Sequence, residues 1–253
     1  MPPLPDRFGL FWLVLARTGG VFAVAPLLST QSVPAPLRAA VSFVVALAAM
    51  PAARAPAGGV PQALLPYMAM AVHEVLVGLS IGFLARVVFS AAELAGGVLD
   101  VQTGLSIGST VDPVYGESVT IFGNWFNILA ALVFLGVGGL EVLVGSVAVS
   151  LRHIPVGSTT IFAAGARTAV DALGWSFVTA MGMAAPTLAA AFITSILLGL
   201  LGRAMPQLNL LQTVIPAQIV VALLVVLAAM PLLTAAFGGL VPDTVSWIGR
   251  LWM

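Results

Sequence analysis

The chain has 253 residues, of which 60% are hydrophobic and 7% charged, with nine Arg, nine carboxylates and a formal net charge of zero. A soluble domain carries about 25% charged residues, so this chain lacks the polar side chains to coat a water-facing surface, and a soluble enzyme is excluded. Zero net charge leaves no electrostatic footprint for nucleic acid. The absence of Cys excludes disulfides, thiol catalysis and Cys-ligated metals, and His73 and His153 lie too far apart in sequence to suggest a metal or catalytic cluster. No cofactor is expected.

Apolar stretches recur at Phe8–Ser29, Ala39–Ala53, Leu64–Ala92, Thr120–Ser150, Gly174–Leu201 and Thr213–Phe237. A membrane span needs about 20 apolar residues, so the pattern predicts an all-α, polytopic integral membrane protein with about six apolar helical segments. The first run lacks a basic leader and contains Arg17, which reads as a retained helix rather than a cleaved signal. The second run is short, as a re-entrant or protein-packed segment would be. The fourth exceeds one simple span and is expected to tilt, run on, or bend at Gly138-Gly139.

Pro- and Gly-rich breaks at Gln31–Pro36 and Pro51–Pro61 supply turn chemistry. The longest weakly helical segment is Gly104–Ser118, which holds Gly104, Ser106, Gly108, Asp112, Pro113 and Gly116. Its glycines permit unusual backbone angles, and Asp112-Pro113 favours a turn. Composition leaves two readings, an ordinary external connection and a movable plug, and favours the first. Pro186, Pro216 and Pro231 fall inside apolar runs, where each removes a helix donor and predicts bending against protein neighbours. Gly78 and Gly82 form a G-x-x-x-G that lets two helix backbones approach closely. The distribution of Arg between connections favours cytoplasmic termini.

Ionisable groups in an apolar chain are expensive and ask for a reason. The densest set is His73, Glu74, Arg86, Glu93 and Asp100. Arg86, Glu93 and Asp100 are seven apart, so on one continuous helix they share a face, with steps of about 10.5 Å. That stripe fits a water-lined conduit or interhelical glue, less well a proton relay, or else a helix emerging into solvent near Glu93. Arg17 and Glu141 each sit in the middle of an apolar run, and nothing in the sequence pairs them. No nucleotide-binding, zinc-hydrolase or serine-hydrolase motif is present, so any transport must draw its energy from other chains or an ion gradient.

The ordered set Ala16-Arg17, Pro26-Leu27, Val33-Pro34-Ala35, Arg38, Glu74, Gly78, Gly82-Phe83, Arg86, Glu93, Ala95-Gly96, Asp100, Gln102, Gly104, Asp112-Pro113, Gly116, Asn127, Phe134, Gly138-Gly139, Ser150, Pro155-Val156-Gly157 and Gly199–Asn209 resembles the FliR / SctT family of type III secretion export-gate proteins. The likeness runs from about Phe11 to Leu233 and is closer to the flagellar branch than to the injectisome branch. The resemblance implies one membrane export-gate unit over residues 1–253, its helices packing as hairpins in a helical assembly with FliP- and FliQ-like subunits. It also implies FlhB- and FlhA-like export components, unfolded export substrates and membrane lipid as partners, at the bacterial inner membrane in the flagellar basal body. In that family the segment matching Ser106–Ser118 lies inside the pore as a plug, which reverses the preference drawn from composition. Arg17, Glu74, Gly78, Gly82, Arg86, Glu93, Asp100 and Gln102 are then expected to support packing and assembly. Arg203, Pro206, Gln207 and Asn209 are expected to form a bent, hydrogen-bonding turn. Because the family's gate sits largely above the bilayer, six spans is an upper bound. The alternative from another class, a small-solute secondary transporter, predicts internal symmetry, and no repeat is visible. A purely structural scaffold is the third reading, and the glycine-rich loop argues against it.

Overall fold

The computed structural model describes residues 4–28, 33–56, 58–105, 120–158, 162–204 and 210–252. Its helices are α1 (Leu4–Val24), α2 (Ala35–Ala49, continued by a 3-10 turn at Met50–Ala52), α3 (Leu64–Thr103), α4 (Ile121–Gly136), α5 (Gly139–His153), α6 (Phe162–Ala204) and α7 (Leu210–Gly249), closed by a 3-10 turn at Arg250–Trp252. No strand occurs among the described residues, and the fold is all-α.

Local chemistry sets the helix limits. Pro34 and Pro36 open α2, where a fixed φ and a missing donor cost nothing. Gly104 ends α3 in the left-handed region at φ 76°, with its N–H on the Val101 carbonyl at 3.3 Å. Gly138, at φ 85°, separates α4 from α5, so the fourth apolar run is a bent pair. That break moves Glu141 from mid-run to the first turn of α5, where it is exposed and complements the positive end of the helix dipole. Arg152 and His153 occupy the opposite end of α5.

The third, fifth and sixth apolar runs extend well past their predicted limits, as helices of 40, 43 and 40 residues. The short second run gains residues at its start, and Ala35–Ala52 reaches 18 residues. Pro186 remains inside α6, and Pro216 and Pro231 remain inside α7. Five helices among the described residues are long and apolar enough to cross a membrane, or six if the bent pair counts as one crossing.

The described chain divides into two compact units, one formed by residues 1–88, 135–173 and 241–253, the other by 89–134 and 174–240. The first is cored by Leu13, Val14, Val21, Phe22, Ile81, Leu84, Leu143 and Leu151. The second is cored by aromatic contacts, Phe89 edge-on to Phe134 at 4.8 Å and Phe126 edge-on to Phe237 at 5.9 Å. Burial is uneven: 61% of the apolar 18-residue stretch of α3 is enclosed, against 17% of the corresponding stretches in α6 and α7. The last two helices therefore present most of their Leu, Ile and Val to the surroundings, among them Ile193, Leu197, Leu224 and Leu227.

Candidate functional site

Two constellations of buried charge stand out, one in each unit. In the first unit α1 crosses α3 with backbones in contact. A methyl group at Gly78 would strike the Arg17 carbonyl, and one at Gly82 the Val21 carbonyl. On the facing helix, a methyl at Gly20 would meet the Val75 carbonyl at 2.5 Å. Small residues on both sides thus make a crossing no larger residue would permit.

This closeness brings together Arg17 and Glu74, 57 residues apart. The Arg17 Nε donates to Glu74 Oε2 at 2.6 Å, and both side chains are wholly buried. Arg17 Nη1 donates to the Ile154 carbonyl at 3.1 Å and, more weakly, to Ser150 Oγ at 3.4 Å. The second Glu74 oxygen accepts the Gly157 N–H at 2.8 Å. Gly157 lies at φ 83°, and a methyl there would press on Met70 Cε. The pair therefore ties α1, α3 and the end of α5 with its Pro155-Val156-Gly157 turn into one network. Charges in so dry a place need every partner they can reach, and Arg17 Nη2 is a buried donor with no hydrogen bond among the described residues. His73 lies beside the pair, its Nδ1 4.0 Å from Glu74 Oε1.

In the second unit Asp100, 1% exposed, turns its carboxylate onto the start of α4. One oxygen accepts the Phe122 N–H at 3.0 Å and the other the Gly123 N–H at 3.1 Å. A helix start offers unsatisfied amides and a positive dipole end, and a carboxylate satisfies both. Gly96, one turn earlier on α3, makes the approach possible, since a methyl there would collide with the Phe122 carbonyl. Glu93 and Gln102 lie half-buried beside an open groove of 740 Å³ that Leu94, Gly97 and Val101 also line.

The remaining expected site residues fall apart from these centres. Arg86, Glu93 and Asp100 do lie on one continuous helix, α3, but Asp100 is committed to the α4 amides while Arg86 and Glu93 are half-buried. Arg203 is exposed in the last turn of α6. Gly104 is the residue that ends α3. Ser106, Gly108, Asp112, Pro113 and Gly116 lie outside the described residues, as do Pro206, Gln207 and Asn209. Among the described residues no group of three His, Asp or Glu is placed to hold a metal ion. Sequence reasoning gave no role to Ser150, Gly157, Gly96 or Gly20. The usable signal was the spacing of Gly96 four residues before Asp100, which puts a gap and a carboxylate on one face.

Long apolar helices, exposed apolar flanks and charges sequestered at glycine crossings define a polytopic α-helical membrane protein. Residues 8–243 match the family model described as bacterial export proteins, family 1, and the chain belongs to that family. It is 29% identical over 238 residues to the flagellar biosynthetic protein FliR of Bacillus subtilis (strain 168), covering 91% of this chain and 89% of that one. It is 27% identical to the FliR protein of Escherichia coli (strain K12), over 88% of this chain and 84% of the other. The secretion system apparatus protein SsaT of Salmonella typhimurium (strain LT2) is 27% identical over 65% of this chain and 64% of its own length.

Proposed function

We propose that this chain is a non-enzymatic subunit of the flagellar type III protein export gate. With FliP- and FliQ-like partners it forms the pore through which unfolded flagellar subunits cross the bacterial inner membrane, in the flagellar basal body, next to FlhB- and FlhA-like components. The observation that carries this is the alignment with a flagellar relative over 91% of the chain, against 65% for the secretion-system relative SsaT. The sparse burial of α6 and α7 supports it, because apolar helices with so little of their own chain around them call for lipid or partner helices. Within this reading Ser106–Ser118 serves as the plug, and Gly104 is the left-handed residue from which it departs.

Co-expression of the chain with the FliP- and FliQ-like chains of its own organism tests the proposal. The expected result is one particle holding all three chains in a fixed ratio, together with restored swimming when the three replace a host's own gate genes. A chain that purifies by itself as a uniform particle and moves a small solute into liposomes would be a secondary transporter instead. Assembly only with injectisome counterparts would move it to the other branch.

A further inference from the structure

A groove of 560 Å³ runs between α1 and α2, floored by Gly19 and Ala23 on one side and Ala35, Arg38 and Ala39 on the other, with Phe43 at its rim. Gly19 has open space where a side chain would be. The spacing of four between Gly19 and Ala23, and again between Ala35 and Ala39, gives the notched surface on which a further helix can seat closely. Phe43, Val44 and Leu47 continue the apolar surface along α2, at 47%, 63% and 59% exposure.

Among the described residues no carboxylate pairs with Arg38. Arg38 is half-buried, and its Nε is enclosed with no hydrogen-bond partner among the described residues. Ser42 gives its hydroxyl to the Arg38 carbonyl at 2.8 Å and offers the guanidinium no help. Arg38 also stands in the first turn of α2, next to the positive end of that helix's dipole, with no acidic residue in the turn and no side-chain cap at Pro34. Between Asp6 and Glu74 the sequence contains no carboxylate, and Glu74 is engaged by Arg17 and Gly157. A cation held against a helix's positive end in an apolar notch calls for an anion from elsewhere.

We propose that the α1–α2 groove receives a helix of a neighbouring subunit and that a carboxylate on that helix pairs with Arg38. A lipid phosphate lies at the water interface and is met by side chains that reach outward to it. Arg38 instead keeps its Nε inside the groove, where an acceptor on an inserted helix can reach it. The small residues give that helix its close seat, and the dipole of α2 adds to the attraction. This inference rests on the reading of the chain as a gate subunit.

Two variants test it in the complete, co-expressed complex. Arg38→Glu reverses the charge, and Gly19→Leu places a side chain in the groove from a position where its first carbon meets no atom within 4 Å. Both should leave the helicity of the chain itself unchanged. Each should lower its affinity for its neighbouring subunits, by roughly thirty-fold or more for Arg38→Glu, the loss expected when one member of a buried charge pair is removed. Arg38→Lys should keep part of the affinity, and reversing one Asp or Glu of a partner helix to Arg should rescue Arg38→Glu. Partner retention at the wild-type level in both Arg38→Glu and Gly19→Leu would overturn the inference while leaving the gate reading intact. So would loss of bound anionic phospholipid with no loss of partner, which would make the groove a lipid site. If the unaltered chain retains no partner at all, the gate reading fails and this inference fails with it.

Discussion

Arg17 and Glu74 form an ion pair with no solvent exposure, closed at 2.6 Å and flanked by the Gly78 crossing that brings α1 onto α3. The pair and the crossing depend on each other. The glycines let the backbones meet, and the meeting places the guanidinium against the carboxylate. A buried pair of this kind contributes little net stability compared with well-packed apolar residues, yet breaking it leaves a charge stranded.

Arg17→Met is therefore expected to cost about 3–5 kcal/mol, because Glu74 is left in the buried core without its counter-ion. The double variant Arg17→Met with Glu74→Leu should recover a large part of that loss. Thermal or denaturant unfolding of the detergent-solubilised protein measures both. Equal losses in the single and double variants would show that the pair's charge is not what matters.

Gly78→Ala should destabilise by about 1–3 kcal/mol, since the added methyl is driven into the Arg17 carbonyl and rigid backbone must separate. Gly97, on the same helix, has open space around its missing side chain, so Gly97→Ala should stabilise α3 by up to about 1 kcal/mol through helix propensity. The two substitutions moving a melting curve in opposite directions would establish the crossing.

Asp100→Asn retains one acceptor and loses the charge that two α4 amides share. Hydrogen exchange at Phe122 and Gly123 should accelerate about ten-fold, with distant amides unchanged. An unchanged exchange rate at both positions would mean that the start of α4 does not depend on this carboxylate.

Gly138→Ala forces a side chain into the left-handed region at a cost of about 1–2 kcal/mol. Asn tolerates that region better, so Gly138→Asn should cost less. The order of the two melting temperatures checks the role of the break between α4 and α5.

Deletion of Ser109–Gly116 addresses the proposed plug. Ion leakage through the assembled gate should rise, measured as conductance or as uptake of a small reporter in cells that carry it. Unchanged conductance in a correctly assembled complex would remove the plug from the proposal.

Hydropathy made the helices legible and chemistry made their partners obscure. The apolar runs located every long helix, and the Gly138-Gly139 pair marked the bend, because glycine carries its backbone freedom in its own identity. The runs underestimated α3, α6 and α7, since polar residues such as Glu93, Asp100, Thr168 and Asp171 interrupt hydropathy without interrupting a helix. Pro186, Pro216 and Pro231 predicted bends, and all three sit within α6 and α7, where a long apolar segment outweighs one missing donor. The Arg17–Glu74 pair was illegible because a charge advertises only that it needs a partner, and the partner's identity depends on how α1 and α3 cross. Asp100 was read as one member of a seven-residue stripe. Its actual commitment, to amides at the head of α4, comes from a helix whose start lies 21 residues further along the chain.

The three longest helices carry a consequence for how the cell must handle this chain. At 40, 43 and 40 residues and 1.5 Å per residue, each extends about 60 Å, roughly twice the 30 Å of a bilayer's hydrocarbon layer. In α6 and α7, whose apolar stretches are only 17% enclosed, the length beyond the bilayer is thus greasy surface that lipid alone cannot clothe. A copy made in excess of its neighbours would leave that surface bare, which is an aggregation liability. Dosage is then a structural property of this chain: its abundance is set by the neighbours available to cover it, and matched synthesis with them is a condition of its survival.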